Sequence, residues 1–140
     1  DVTVQGQILA ILNELAQRHG LSILFVTHDM GVVAQLCHRV AVMYAGQVVE
    51  VAGVESIFAR PAHPYTQGLI ASIPGRVSSG ELYAIPGSVP SPIDPPPGCR
   101  FRPRCPHAKS GGCSDVAPEM VRVAPDHSVA CHLFTSGGLP

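Results

Sequence analysis

The sequence reads as an α/β chain that runs into a small, loop-rich cysteine module. Three observations point there. Helix-like and strand-like apolar periodicities alternate through residues 1–60, which is the rhythm of an α/β sheet protein. All 14 prolines lie in residues 61–140. Four of the five cysteines, Cys99, Cys105, Cys113 and Cys131, lie in that half too.

From Thr3 to Arg18, the residues Val4, Ile8, Leu9, Ile11, Leu12 and Leu15 recur at helical spacing, and Gly20 is placed to end that helix. Leu21 to Val26 is an apolar run with Ile, Phe and Val, which predicts a buried strand. Asp29 is suited to cap a second helix through Met30, Val33, Ala34 and Cys37. Cys37, on the apolar face of that helix, reads as a small buried hydrophobe. Arg39 to Tyr44 predicts a second strand. Ala45-Gly46-Gln47 predicts a tight turn, and Gln47 to Gly53 a third strand paired back in a hairpin. Val54 to Ala59 predicts a short helix. Another follows His63-Pro64, through Tyr65, Leu69 and Ile70 to Ile73, with His63 shaping its start. Pro86, Pro90, Pro92, Pro95, Pro96 and Pro97 then favour extended backbone that lacks donors, as in a connector. Three strands are too few to close an α/β domain, so further strands upstream, or another chain, are expected to cover the open edge.

The composition is 46% apolar, 14% charged and 5% aromatic, with a formal net charge of −1. This is about one domain with a modest core. The charge balance carries no footprint for nucleic acid, which shows as a basic excess. The longest apolar run, Val40 to Ala45, is far short of the roughly 20 residues a membrane-spanning helix needs. No secretory leader pattern opens the chain. It starts at Asp1 with a helical pattern at once, so it is expected to be part of something longer.

The first chemical signal is Ile23-Leu-Phe-Val-Thr-His-Asp-Met30. Ligands of open α/β sheets sit beyond the carboxyl ends of strands. His28 is therefore placed either to touch a phosphate or to serve structurally at a helix start. Together with Asp1-Val-Thr-Val-Gln5 and Val40-Ala-Val-Met-Tyr-Ala-Gly-Gln-Val-Val-Glu50, this stretch resembles the last part of an ABC-transporter ATPase. Ala62-His-Pro-Tyr-Thr-Gln-Gly-Leu69 looks like the subgroup that imports oligopeptides, dipeptides and sometimes nickel.

That resemblance implies several expectations. Residues 1–60 would be the C-terminal part of an ABC-type P-loop NTPase sheet, 61–85 a helical connector and 86–140 a Pro/Cys-rich extension. His28 matches the switch histidine that contacts the γ-phosphate of ATP and positions the attacking water. Asp1 matches the D-loop aspartate that contacts a second ATPase subunit. ATP with Mg²⁺, two transmembrane permease subunits, a peptide-binding protein and a place on the cytoplasmic face of the membrane come with the family. No G-x-x-x-x-G-K-[ST] phosphate loop is present, and the only lysine is Lys109. The signature loop and the Walker B carboxylates are missing too. The 140 residues are therefore expected not to hydrolyse ATP alone.

The cysteines are spaced Cys99-x5-Cys105-x7-Cys113-x17-Cys131. Disulfides, a zinc site with His107, His127 or His132 replacing a thiol, and an iron–sulfur cluster are all open on spacing. Gly98-Cys-Arg-Phe-Arg-Pro-Arg-Cys-Pro106 and Val129-Ala-Cys-His-Leu133 look like the C-terminal extension of peptide-importer ATPases. Some members bind a [4Fe-4S] cluster there, which implies Cys99, Cys105, Cys113 and Cys131 as ligands. Arg100, Arg102 and Arg104 would then offset or shield the cluster charge, or else form an exposed basic loop. A non-catalytic metal-binding interaction module is the competing reading.

Overall fold

The computed structural model describes residues 2–75, 83–91, 93–108 and 112–135. The chain forms two compact units, residues 1–38 and 39–140.

The first unit is helical. Helix α1 spans Val2–His19, with exposed i,i+4 contacts from Arg18 to Glu14 at 3.2 Å and from Gln17 to Asn13 at 3.5 Å. Gly20 ends it in the left-handed region, at φ 63. Leu21 N–H then closes back on the Ala16 carbonyl at 3.0 Å, the 6→1 bond of a Schellman stop. Helix α2 spans Met30–Leu36. Its cap is Asp29, whose Oδ1 accepts from Gly31 N–H at 2.8 Å and Val32 N–H at 3.2 Å.

Between these helices the expected strand at Leu21–Val26 does not form. Leu24 is 92% and Val26 90% exposed. A central strand exists only by hydrogen bonding to neighbours on both sides, and no strand among the described residues pairs with this one. Ile8, Ile11 and Leu15 on α1 are exposed as well.

The second unit holds the sheet. Strand β1 (Arg39–Tyr44) and strand β2 (Gln47–Gly53) form the expected hairpin. Ala45 at φ 46 and Gly46 at φ 81 occupy its turn, the two left-handed positions of a tight type I′ connection. Helix α3 (Val54–Ala59) and helix α4 (Pro64–Ala71) follow. A 3₁₀ turn at Arg102–Arg104 and a short helix α5 (Gly112–Asp115) carry the chain to strand β3 (Met120–Ala124) and strand β4 (His127–Ala130). Helix α6 spans His132–Thr135.

The sheet has four strands in the order β1-β2-β4-β3, every pair antiparallel. Two of the four come from the segment expected to be loop-rich. The fold is mixed α/β, but its sheet is built by closing the hairpin against a second hairpin from the far end of the chain. The register sets Glu50 against Val129 and Ala52 against His127, so Glu50 and His127 are diagonal neighbours on one face.

That face is dry: Glu50, Ala52 and Val129 are each 0% exposed. A buried carboxylate is costly unless every lone pair finds a donor. Glu50 Oε1 accepts from Ala62 N–H at 2.7 Å and lies 2.6 Å from His127 Nε2, and Oε2 accepts from His63 N–H at 2.9 Å. One side chain thus holds β2, β4 and the entry to α4. Replacing it by Gln turns an N–H₂ toward donors. Glu50→Gln should lower the stability of the chain by about 2–4 kcal/mol, read from the urea midpoint at unchanged m-value.

Candidate functional site

In the first unit, Thr27 Oγ1 accepts from Asp29 N–H at 2.9 Å, and Asp29 in turn caps α2. This pair of local bonds places His28 in a bend at the entry to α2 with its side chain exposed. Asp1 lies outside the described residues. Cys37 is the C-cap of α2 and half-buried.

In the second unit, an aromatic cluster joins three segments. Phe101, 2% exposed, meets Tyr44 edge-on at 5.1 Å, Tyr65 at 5.5 Å and His63 at 5.7 Å between ring centroids. Tyr44 ends β1, His63 and Tyr65 flank Pro64 at the start of α4, and Phe101 sits between the first two cysteines. His63 is the N-cap of α4, as expected: its Nδ1 accepts from Tyr65 N–H at 3.0 Å.

The four C-terminal cysteines, 32 residues apart in sequence from first to last, converge. Cys99 N–H donates to the Cys113 carbonyl at 3.0 Å. Gly98, at φ +76, permits that approach: a Cβ there would stand 2.5 Å from the Cys113 oxygen. The Arg102–Arg104 turn reverses the chain between Cys99 and Cys105, and Cys131 follows β4 directly. All four line a single small cavity with His63 and Phe101, whose enclosed volume is about 20 Å³, room for about one water. None of the five cysteines is in a disulfide. Among the described residues, no group of three or more His, Cys, Asp or Glu side chains is gathered closely enough to hold a metal ion.

The electrostatics of the cavity penalise bare thiolates. Burial pushes the thiols of Cys99, Cys105 and Cys131 up, Cys131 to about 11. Repulsion from the neighbouring cysteines adds to this: Cys131 feels Cys99, Cys105 and Cys113 together. Opposing it, backbone N–H groups are aimed at three sulfurs from two residues downstream: Phe101 at Cys99, with Arg102 as a second donor, His107 at Cys105 and Leu133 at Cys131. Such donors favour the charged form of a sulfur.

Two of the three arginines bind backbone carbonyls. Arg100 donates to the carbonyl of Ala45 in the hairpin turn. Arg104 donates to the carbonyls of Ile85 and Pro86, both at 2.8 Å, and its guanidinium lies 5.9 Å from the centre of the Tyr44 ring. Arg102 alone of the three lines the cysteine cavity. Of the three histidines considered as replacement ligands, His127 is committed to Glu50 and the Nε2 of His132 lies 2.8 Å from the Val116 carbonyl. Only His107 and His132 border the cavity with His63. Spacing gives no sign of the Glu50–His127 pair; the one hint is a lone carboxylate inside a valine-rich strand.

Burial lowers the His63 pKa from 6.5 to about 4, against a smaller opposing effect of Glu50. Between these values the unfolded chain binds more protons at this site, so stability rises with pH there. This contribution is complete above pH 6.5 and is lost as pH falls toward 4, by up to about 3 kcal/mol. Urea midpoints at pH 7.5 and 4.5 should therefore diverge by less in His63→Asn than in the unmodified chain.

Comparison with known proteins gives similarities along the chain. Residues 49–113, from β2 to the third of the four cysteines, match the family model of the oligopeptide/dipeptide transporter C-terminal region. The oligopeptide transport ATP-binding protein AppD of Bacillus subtilis is 48% identical over 99% of the chain, which spans 42% of that relative. A Sinorhizobium fredii protein named as a peptide ABC transporter ATP-binding protein is 48% identical over 94% of the chain and 39% of its own length. A Brucella ovis protein named as a peptide import ATP-binding protein is 43% identical, covering 94% of the chain and 42% of its own length. The chain spans about two fifths of the curated relatives it matches. No helix among the described residues is long and apolar enough to cross a membrane.

Proposed function

We propose, from the premise that this chain belongs to the family of oligopeptide/dipeptide transporter ATP-binding proteins and carries their C-terminal region, that it serves an ATPase powering peptide import. The observation that carries this reading is the 48% identity to AppD over 99% of the chain. His28 would contact the γ-phosphate of Mg²⁺-bound ATP and orient the attacking water. Its exposure in a bend fixed by Thr27 and Asp29 supports that use, since phosphoryl transfer needs mainly positioning and charge stabilisation. Asp1 would face a second ATPase subunit. Permease subunits and a peptide-binding protein would complete the transporter at the cytoplasmic face of the membrane. In this reading 1–60 is the ATPase part, 61–85 the connector and 86–140 the extension.

We infer further that Cys99, Cys105, Cys113 and Cys131 hold a [4Fe-4S] cluster, with zinc as the second choice. Two features fit: all four thiols border one cavity, and backbone N–H groups aim at three of the sulfurs. The cavity as it stands has room for about one water. When bound, the group supplies positive metal charge that offsets thiolate repulsion, and a four-point tie between the 99–105 loop, α5 and the end of β4. The alternative of a metal-binding interaction module draws on the partition of the chain: the cysteine cavity lies wholly within residues 39–140, and His28 in 1–38.

Two measurements test these readings. Grafted in place of the matching 42% of AppD, the chain should support oligopeptide uptake, and His28→Ala in the graft should cut ATP turnover about 100-fold, while the 140 residues alone turn over none. A graft that hydrolyses ATP yet imports no peptide would redirect the cargo to nickel or another solute; one that does neither overturns the ATPase reading. Anaerobic purification should yield about four iron and four sulfide per chain, whereas about one zinc without sulfide establishes the second choice.

A further inference from the structure

Cys99 and Cys113 are joined through their main chains as well as sharing a cavity. The Cys99 N–H donates to the Cys113 carbonyl at 3.0 Å. A backbone bond of this kind holds the two Cα atoms roughly 5–6 Å apart, as in a hydrogen-bonded strand pair. A disulfide spans about 4.4–6.8 Å between Cα atoms, so the main chain already stands at bridging distance. Gly98 makes the approach possible, since a Cβ there would stand 2.5 Å from the Cys113 oxygen. Both cysteines line the same cavity, which has room for about one water. Cys113 also adds to the raised pKa of the Cys99 thiol, as a neighbouring sulfur does. Both residues are half-buried, whereas Cys131 is buried, and neither is in a disulfide.

We propose that Cys99 and Cys113 form an oxidisable dithiol, a modification site at which a peroxide converts two thiols into one disulfide. The inference does not rest on the metal reading above, because it concerns the thiols of the bare chain. One thiolate attacks the peroxide, the O–O bond breaks, a sulfenic acid forms and hydroxide leaves. The second thiolate attacks that sulfur, the S–S bond forms and a second hydroxide leaves. The two hydroxides take up the two thiol protons. The dithiol thus gives up two electrons, and hydrogen peroxide is reduced to two waters. The bridge closes the loop that carries Arg100 and Arg104, whose guanidinium groups hold the carbonyls of Ala45, Ile85 and Pro86. Oxidation therefore locks the loop that ties α5 to the hairpin turn and the proline-rich stretch, and a thiol reductant releases it.

The test uses the full 140-residue chain, purified with a metal chelator and a reductant and then freed of both. Hydrogen peroxide is added in slight excess. Free thiols are counted in urea, disulfides are mapped by peptide mass, and the urea midpoint is compared before and after. The expected result is a loss of two thiols per chain and a Cys99–Cys113 link within a monomer. The midpoint should rise, because the closed loop restricts the unfolded chain, and dithiothreitol should reverse every change. Cys37→Ser should behave like the unmodified chain. Cys113→Ser should lose thiols several-fold more slowly and show no rise in midpoint. A link mapped to another pair, bridges only between chains, or oxidation that lowers the midpoint overturns the inference. So does a chain that keeps all five thiols under a large excess of peroxide.

Discussion

Most of the second unit hangs on one carboxylate. Glu50 lies on a strand with no exposure, where an unpaired charge is prohibitive. It is tolerated because donors arrive from two distant places, the Ala62–His63 turn and His127 on β4. Those donors also decide where everything else goes. The turn seats His63 and Tyr65 on Phe101. Phe101 seats the loop between Cys99 and Cys105, and β4 delivers Cys131. A hydrophobic residue at position 50 would pair with Val129 just as well, but nothing would then fix the entry to α4 against the sheet.

Two of the three arginines near the cysteines bind backbone carbonyls. Arg100 reaches the carbonyl of Ala45, a residue in the left-handed region that only glycine adopts without cost. Arg104 spans the backbone at Ile85 and Pro86 and covers the Tyr44 ring. The cysteine loop is thereby tied to the hairpin turn and to the proline-rich stretch. Any change in the loop has a direct route to the end of β1. Backbone N–H groups are aimed at the sulfurs of Cys99, Cys105 and Cys131, and they stay in place whatever the side chains do.

What could be read from the sequence was local. The β1–β2 hairpin, the Asp29 cap and the His63 cap each depend on residues within a few positions, and each is where the pattern puts it. Leu21–Val26 is strand-like in composition, but a strand is a relation between segments, and the described residues hold no partner for it. Strands β3 and β4 are harder to read for the opposite reason: each is only four or five residues long, and β4 is paired on one side by β2, a strand far away in sequence. Convergence of the four cysteines is likewise invisible in their spacing; it depends on Gly98 letting two backbones touch. The resemblance named the four residues, and the structure sets all four around one small cavity.

Glu50 and His127 are separated by 77 residues. At the usual pace of synthesis, about 5–20 residues per second, the second arrives roughly 4–15 s after the first. During that interval β2 is an edge strand with a carboxylate on the face that will be dry, and its hairpin is complete but unsealed. The carboxylate then keeps the nascent edge soluble, since an ionised side chain on an open strand discourages pairing with other chains. The same group that anchors the finished sheet thus guards the unfinished one, and its two duties change over when the C-terminal hairpin leaves the ribosome.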